Sequence, residues 1–216
     1  MINVMVTGAG GQLGKTIKAL FSKNNYNLNV VFVTKEELDI TNSESTHVFF
    51  LNNKFDYCIN CAAYTNVEQA EKTPEIAFKV NAQGVENLAK ICKEANIILI
   101  HISTDYVFDG EKREPYTPSD LPNPLNEYGK SKLLGEKYTQ EIMENYFIVR
   151  TSWLYSKKYG HNFYRTIVEK AKTQKELSVT NEQIGCPTDA VNLSKYILSL
   201  IKEKNTNFGI HHFCDK

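Results

Sequence analysis

The sequence predicts an α/β fold, a doubly wound parallel sheet with helices on both faces. Three observations predict it. Apolar runs of strand length alternate with segments of helical periodicity from the first residues onward. The runs are apolar nearly throughout rather than at every second position, as strands covered on both faces must be. A glycine cluster, Gly8-Ala9-Gly10-Gly11-Gln12-Leu13-Gly14, falls directly between the first run and the first periodic segment.

The elements follow in order. Residues 2–7 form the first strand, and Leu13, Ile17, Leu20 and Phe21 then recur at helical spacing. Residues 28–33 and 55–61 read as the second and third strands. Pro74 opens a helix at the position proline favours, and Ile76, Val80, Leu88 and Ile91 carry its apolar face toward Glu94. Residues 97–102 are the fourth strand, apolar except for His101. Pro115, Pro118, Pro122 and Pro124 mark a surface loop. A helix over 127–144, a strand over 147–150, helices over 163–172 and 190–201, and a last strand over 209–214 complete the pattern. The expected division is a core over 1–152 that carries the chemistry. Residues 153–216 supply the remaining core elements and part of a lobe for substrate.

Composition narrows the classes. A chain of 216 residues builds one sizeable core and falls short of two full domains. Lys+Arg and Asp+Glu are both 25, so there is no basic excess to draw nucleic acid or an acidic membrane surface. The N-terminus lacks a basic n-region and a cleavage site, and no apolar run reaches membrane-span length, so the expected location is the cytoplasm. The cysteines number 5 and are irregularly spaced. Cys58 and Cys61 sit within a buried strand with no second pair nearby, which reads as core rather than as a redox or metal motif. No metal ligands are expected.

The glycine cluster carries the first chemistry. Glycines there permit a tight turn and let the backbone approach a pyrophosphate, while the helix N-terminus offers free amides and a positive dipole. With a strand before it and an amphipathic helix after it, the cluster is a Rossmann-type dinucleotide signature; a merely flexible turn is the alternative. The second strand ends without an acid for ribose hydroxyls. Thr34 and Lys35 follow Val33, and Glu36 and Glu37 come later. Lys35 suits a 2′-phosphate and equally suits an ordinary surface, so the reading leans to NADPH over NADH.

The second chemistry lies in Tyr128-Gly129-Lys130-Ser131-Lys132, about 25 residues after Ser103-Thr104-Asp105 at the end of the fourth strand. Positions i and i+4 share a helix face, and a phenol beside an ammonium is a proton donor with a lowered pKa. Asn81 sits on the preceding helix. This order of glycine loop, Thr and Tyr-x-x-x-Lys resembles the short-chain dehydrogenase/reductase superfamily.

Finer motifs narrow the likeness. They are Asn60-Cys61-Ala62-Ala63-Tyr64-Thr65-Asn66-Val67-Glu68, Ser103-Thr104-Asp105-Tyr106-Val107-Phe108-Asp109-Gly110, Arg150-Thr151-Ser152-Trp153, Leu38-Asp39-Ile40-Thr41 and Gln183-Ile184-Gly185-Cys186-Pro187-Thr188. Together they resemble the dTDP-4-dehydrorhamnose reductase family, in every third of the chain.

That resemblance implies reduction of the 4-keto group of a dTDP-4-keto-6-deoxyhexose, dTDP-4-dehydro-L-rhamnose foremost, for surface polysaccharide precursors. Tyr128 would protonate the ketone oxygen. Lys132 would lower the Tyr128 pKa and hold the nicotinamide ribose, and Thr104 would hydrogen-bond the oxygen. Gly8, Gly11, Gln12, Leu13 and Gly14 would hold the pyrophosphate turn. Asp39 and Ile40 would meet the adenosine end, and Ala62, Ala63 and Tyr64 would lie beside the cofactor. Asp105 and Trp153 would meet the nucleotide sugar. Magnesium and a homodimer are admitted by the resemblance alone.

Plainer readings stand beside these. Trp153 is also a candidate core residue, and Asp39 and Tyr64 are candidate surface residues. Glu68 and Glu71 read as a solvated helix face, His101 as a satisfied strand-end histidine, and His211 and His212 as non-metal. Two departures are visible: Glu182 stands where the family usually has Asp, and family members usually continue beyond position 216 to complete the substrate lobe. A related epimerase or dehydratase and a non-catalytic regulatory subunit are the rival functions. Tyr106, where dehydratases of the superfamily place a Glu, argues against dehydration. Tyr128 and Lys132 together argue against the regulatory subunit.

Overall fold

A computed structural model describes residues 1–23, 27–179 and 183–215. Its centre is a 6-stranded sheet in the order β2-β1-β3-β4-β5-β8, and every pairing is parallel. The strands are β1 (Ile2–Thr7), β2 (Leu28–Phe32), β3 (Tyr57–Asn60), β4 (Ile98–Thr104), β5 (Tyr146–Thr151) and β8 (Gly209–Phe213). The order reverses between β1 and β3, so a crevice opens there beyond the carboxyl ends of the strands, the place where such sheets bind ligands.

Strand alternation assigns the two faces. Val4, Val6, Ile59, Ile100, Phe147 and Val149 pack with α1 (Gln12–Lys23) and α8 (Ala190–Lys202). Met5, Cys58 and Leu99 face the other way and pack with Phe50 of α2 (Ser43–Leu51) and Leu88, Ile91 and Cys92 of α5 (Gly84–Glu94). Both core faces are nearly free of polar side chains until the last residues of the strands. The buried polar groups begin there: Thr7, Asn60, His101, Ser103, Thr104, Arg150 and Thr151.

Several elements differ from the sequence expectation. Helix α2 was not anticipated because Val48-Phe49-Phe50-Leu51 is a consecutive apolar run with no 3.6-residue period. Its start is fixed by Asn42, whose side chain accepts from the Ser45 amide. The helix expected over 74–94 is helical throughout, but it changes its winding. After α3 (Val67–Lys72) come α4 (Pro74–Phe78), a π turn over Lys79–Gln83, and then α5. Helix α6 (Glu127–Ile142) stops short of 144 because Met143 turns extended and buries its side chain. A small 2-stranded sheet, β6 (Leu154–Tyr155) with β7 (Thr188–Asp189), is too short for any periodicity to betray. Helix α7 (Phe163–Ala171) has no buried residue and leaves Phe163, Tyr164 and Val168 exposed.

The π turn and α6 lie in close contact. A Cβ placed on Gly135 of α6 would stand 2.2 Å from the Asn81 carbonyl oxygen, so only glycine allows this approach. Gly135→Ala is expected to destabilise the fold by about 1–3 kcal/mol, because neither backbone can yield without strain. Urea unfolding followed by circular dichroism checks the loss.

Candidate active site

The site begins where β4 ends. Thr104 is the last residue of the strand, and its hydroxyl accepts from the Tyr106 amide at 3.3 Å and donates to Asp105 Oδ1 at 3.1 Å. The chain then turns through a 3₁₀ segment, Asp105–Val107. Helix α6 crosses above this edge. Asn126 caps it by accepting from the Gly129 amide at 2.7 Å, and Glu71 of α3 accepts from the Glu127 amide at 2.7 Å. Glu71 thus has a structural task that its exposed, charged face did not reveal in the sequence.

Fixed in this way, α6 turns Tyr128, Ser131, Lys132 and Glu136 inward, and all four are buried. The Tyr128 hydroxyl lies beside Thr104. Its ring packs edge-on against Tyr106 at 5.6 Å and joins a cluster with Ala70, Ala77 and Tyr64. Tyr106, at the position where dehydratases place a carboxylate, is therefore an aromatic wall for the phenol. Lys132 Nζ donates to the Ile102 carbonyl at 2.6 Å and lies 3.3 Å from His101 Nε2.

Burial dominates the electrostatics here. It pushes the Tyr128 phenol up to about 12, against the lowering hydrogen bond from Thr104 and with the repulsion of Asp105 and Tyr106. Burial also pulls the Lys132 ammonium down to about 8, against Glu136 and Cys61. Lys132 is not among the groups that shift the Tyr128 phenol. Lys132 gives up its proton first, so no cation remains to favour the phenolate when Tyr128 ionises at equilibrium.

Beneath the pair lies a buried ion pair. Arg150 of β5 grips Glu136 through Nε at 3.0 and 3.2 Å and through Nη2 at 2.6 Å. Ser103 Oγ donates to the same carboxylate at 2.5 Å. The guanidinium also sits 5.1 Å above the Phe108 ring, and Nη1 lies 3.5 Å from His212 Nε2. His212 donates through Nδ1 to the Tyr116 carbonyl at 3.0 Å, so its Nε2 is free to accept. This ties the proline-rich loop to the sheet. Within the loop, Asp109 accepts from Tyr116 and Asn123, and Asp120 accepts from Lys112 and Thr117.

The glycine loop faces the site across the crevice. Gly8 adopts φ +63°, and a Cβ there would lie 2.6 Å from the Ala62 nitrogen and the Cys61 carbonyl carbon. The loop closes by a bond from the Gly11 amide to the Gly8 carbonyl at 2.9 Å. The first turn of α1 holds no acid, and its amides are those a helix leaves without intrahelical partners. An exposed, acid-free amide turn of this kind fits a dinucleotide pyrophosphate.

The fold and the matched residues agree with known proteins. The chain matches the RmlD substrate binding domain over residues 2–216. It belongs to this family. It is 37% identical to a dTDP-4-dehydrorhamnose reductase of Aggregatibacter actinomycetemcomitans over 217 residues, 99% of this chain and 73% of that protein. The solved dTDP-4-dehydrorhamnose reductase of Clostridium acetobutylicum superposes with a TM-score of 0.93 at 41% identity, covering 100% of this chain and 75% of that one. The Bacillus anthracis reductase, solved in complex with NADP, superposes with a TM-score of 0.95 at 40% identity, again over 100% and 75%.

Within this RmlD-family chain the sequence-predicted residues divide into groups. Thr104, Asp105, Tyr128 and Lys132 converge at the β4 edge. Gly8, Gly11 and Gly14 form the turn opposite, and Ala62, Ala63 and Tyr64 follow β3 beside it. Leu13 is core, so its side chain faces away from the crevice and only its backbone is available to a ligand. The Gln12 side chain is tied to β6 and to the segment after it, donating to the Leu154 carbonyl at 2.9 Å and accepting from Asn162 at 2.6 Å. Asp39 Oδ1 accepts from the Thr41 amide at 2.9 Å, and Ile40 is buried. Trp153 is no core residue: it is 39% exposed, at φ +43°, with its ring against Gly185. Cys58 is buried beside Cys92, as a core reading requires. Lys35 is exposed, and Glu182 lies outside the described residues.

Three contributors had tasks that the sequence did not disclose. Asn81 accepts from the Tyr64 amide at 2.8 Å and donates to the Tyr64 carbonyl at 2.9 Å and to Ser131 at 3.0 Å, joining the segment after β3 to α6. The π turn that aims it is a frequent companion of functional sites. Glu136 and Arg150 are the other two; a buried pair far apart in sequence leaves no local pattern.

Removing one partner of that pair strands the other charge. Arg150→Leu is expected to cost about 3–5 kcal/mol of stability. The double variant Arg150→Leu with Glu136→Leu is expected to recover much of the loss, and a double-mutant cycle by chemical denaturation measures both.

Proposed function

We propose that this chain carries the NADPH-dependent reduction of the 4-keto group of a dTDP-4-keto-6-deoxyhexose, with dTDP-4-dehydro-L-rhamnose as the first choice of substrate. The observation that carries the reading is the neighbouring Thr104 and Tyr128 hydroxyls at the carboxyl edge of β4, with Lys132 on the same helix face, in an RmlD-family chain that carries a dinucleotide turn. The likeness to the A. actinomycetemcomitans dTDP-4-dehydrorhamnose reductase and the NADP in the B. anthracis structure support it.

The dinucleotide would supply hydride to the carbonyl carbon. The rest falls to the protein. Tyr128 keeps its proton throughout the neutral range, since its pKa stands at about 12, and is therefore always loaded as a donor to the ketone oxygen. The Thr104 hydroxyl, which donates to Asp105 Oδ1 before substrate binds, would turn to the same oxygen, and two donors would then stabilise the charge that grows there. Lys132 is cationic below about 8 and lies on the same buried helix face. A phenolate formed during turnover is stabilised by that cation even though one formed at equilibrium is not.

Asp105 and Trp153 flank the edge from which the sugar would enter. Burial raises the Asp105 carboxyl above its ordinary pKa, which suits it to hydrogen-bond a sugar hydroxyl. Residues from β6 to β7, with the uncovered apolar face of α7, are assigned to the substrate lobe. Among the described residues no helix is long and apolar enough to cross a membrane, and we place the reaction in the cytoplasm. Among the same residues no group of three or more His, Cys, Asp or Glu is placed to hold a metal, and no step is assigned to magnesium.

Mixing the protein with the dTDP-4-keto-6-deoxy sugar and following reduced nicotinamide absorbance tests the assignment. Oxidation with NADPH is expected; cofactor binding without oxidation contradicts it. Tyr128→Phe is expected to lower turnover about 100- to 10,000-fold with dinucleotide affinity retained, and unchanged turnover would remove Tyr128 from the role. The pH dependence has a definite sign. Lys132 is charged below about 8 and neutral above it, so kcat/KM for reduction is expected to fall as pH rises through that value.

A further inference from the structure

A second polar cluster lies behind Lys132, and the reaction as described gives it no task. Thr7, Asn60 and His101 occupy one row across β1, β3 and β4: Thr7 is in register with Asn60, and Asn60 with His101. Their exposures are 1%, 1% and 0%. Strand alternation points the row to the face that α6 covers. Three polar residues in such a place are costly unless each hydrogen bond is assigned.

The bonds assign themselves from one backbone amide. Asn60 Oδ1 is approached by Thr7 Oγ1 at 2.7 Å and by the Ala62 amide at 3.1 Å. A backbone N–H only donates, so the Asn60 oxygen must face it, and the Asn60 side-chain amide must face the other way. That amide lies 3.1 Å from His101 Nδ1 and donates to it. His101 Nδ1 therefore carries no proton. Burial holds the His101 pKa well below its ordinary value, so the ring is neutral, and its single proton sits on Nε2.

His101 Nε2 lies 3.3 Å from Lys132 Nζ. An ammonium offers only donors, whereas an amine has one lone pair. The Nε2–H thus opposes the ammonium and satisfies the amine. The bond from Nζ to the Ile102 carbonyl is available to either form. The other titratable groups around Lys132 do not substitute for His101. Glu136, on the same helix, favours the ammonium, but Arg150 of β5 and Ser103 of β4 share its carboxylate. Burial raises the Cys61 thiol, at the end of β3, so it is uncharged in this range. Tyr128 is uncharged as well.

We propose that His101 is a positioning residue for the reduction: locked as its Nε2–H tautomer by Asn60 and the Ala62 amide, it donates to Lys132 and sets the pH above which Lys132 is a neutral amine. The proposal rests on the reading of Lys132 as part of the reductase site, and it adds the residue that tunes it. It also gives the row from Thr7 to His101 a purpose, since each member fixes the hydrogen-bond sense of the next.

Two measurements decide it. In protein labelled with ¹⁵N histidine, long-range proton–nitrogen correlations report each ring's tautomer, and His101→Gln assigns the signal. The Nε2–H tautomer is expected, and an Nδ1–H tautomer overturns the proposal. The second measurement uses Asn60→Asp. A carboxylate cannot donate, so His101 Nδ1 must take the proton, and Nε2 becomes an acceptor for the ammonium. The Lys132 titration, read from its ¹³Cε shift, and the alkaline limb of kcat/KM are both expected to move up by about one pH unit or more, a tenfold change in proton affinity. An unmoved ¹³Cε titration in a folded variant overturns the proposal. If the unmodified chain reduces no keto sugar, the functional reading fails, while the tautomer and the titration still decide the role of His101.

Discussion

The burial of one face of α6 against the carboxyl half of β4 is the constraint on which the rest depends. That face carries Tyr128, Ser131, Lys132 and Glu136, a sequence of polar groups that a helix normally turns to water. Each is kept inside by a specific partner: the Tyr106 ring for Tyr128, Asn81 for Ser131, the Ile102 carbonyl for Lys132, and Arg150 with Ser103 for Glu136. The strand and the helix therefore specify one another. Gly135 lets the π turn close over the same helix from the other side. A site built this way is rigid before any ligand arrives, which is what transition-state stabilisation by fixed donors demands.

Burial also decides the order in which protons leave. A phenol and an ammonium side by side in water would move apart, the phenol downward and the ammonium upward. Taken out of water, both shift toward their neutral forms, and here desolvation is the largest cause for each. The result is a donor that stays loaded through the neutral range and a cation whose loss falls near the upper end of it. The Nε2–H of His101 pushes in the same direction as desolvation, and Glu136 against it.

The larger part of the fold was legible because parallel strands buried on both faces must be apolar runs, and five such runs stand in the sequence, with the half-buried edge strand β8 after them. The strands, the long helices and the position of the glycine turn followed from period and punctuation. Helix α2 did not, since its apolar residues are consecutive and its stability comes from a cap and from packing on α5. The β6–β7 ladder did not, since two residues carry no period. At the site, Thr104, Tyr128 and Lys132 were legible from spacing. The tasks of Glu71, Asn81, Glu136 and Arg150 were not, because each acts on a residue far away in sequence. His101 was read as a satisfied histidine, and it is satisfied. What the sequence hid is that its partners fix which nitrogen bears the proton.

The central claim is that burial keeps the Tyr128 proton on beyond the point at which Lys132 loses its own. Ultraviolet difference titration of the unmodified chain against Tyr128→Phe isolates this phenol from the other tyrosines. The account predicts no Tyr128 phenolate band between about pH 6 and pH 9, with ionisation approaching only toward 12. A difference band equal to one phenolate, titrating below about 8, would contradict it.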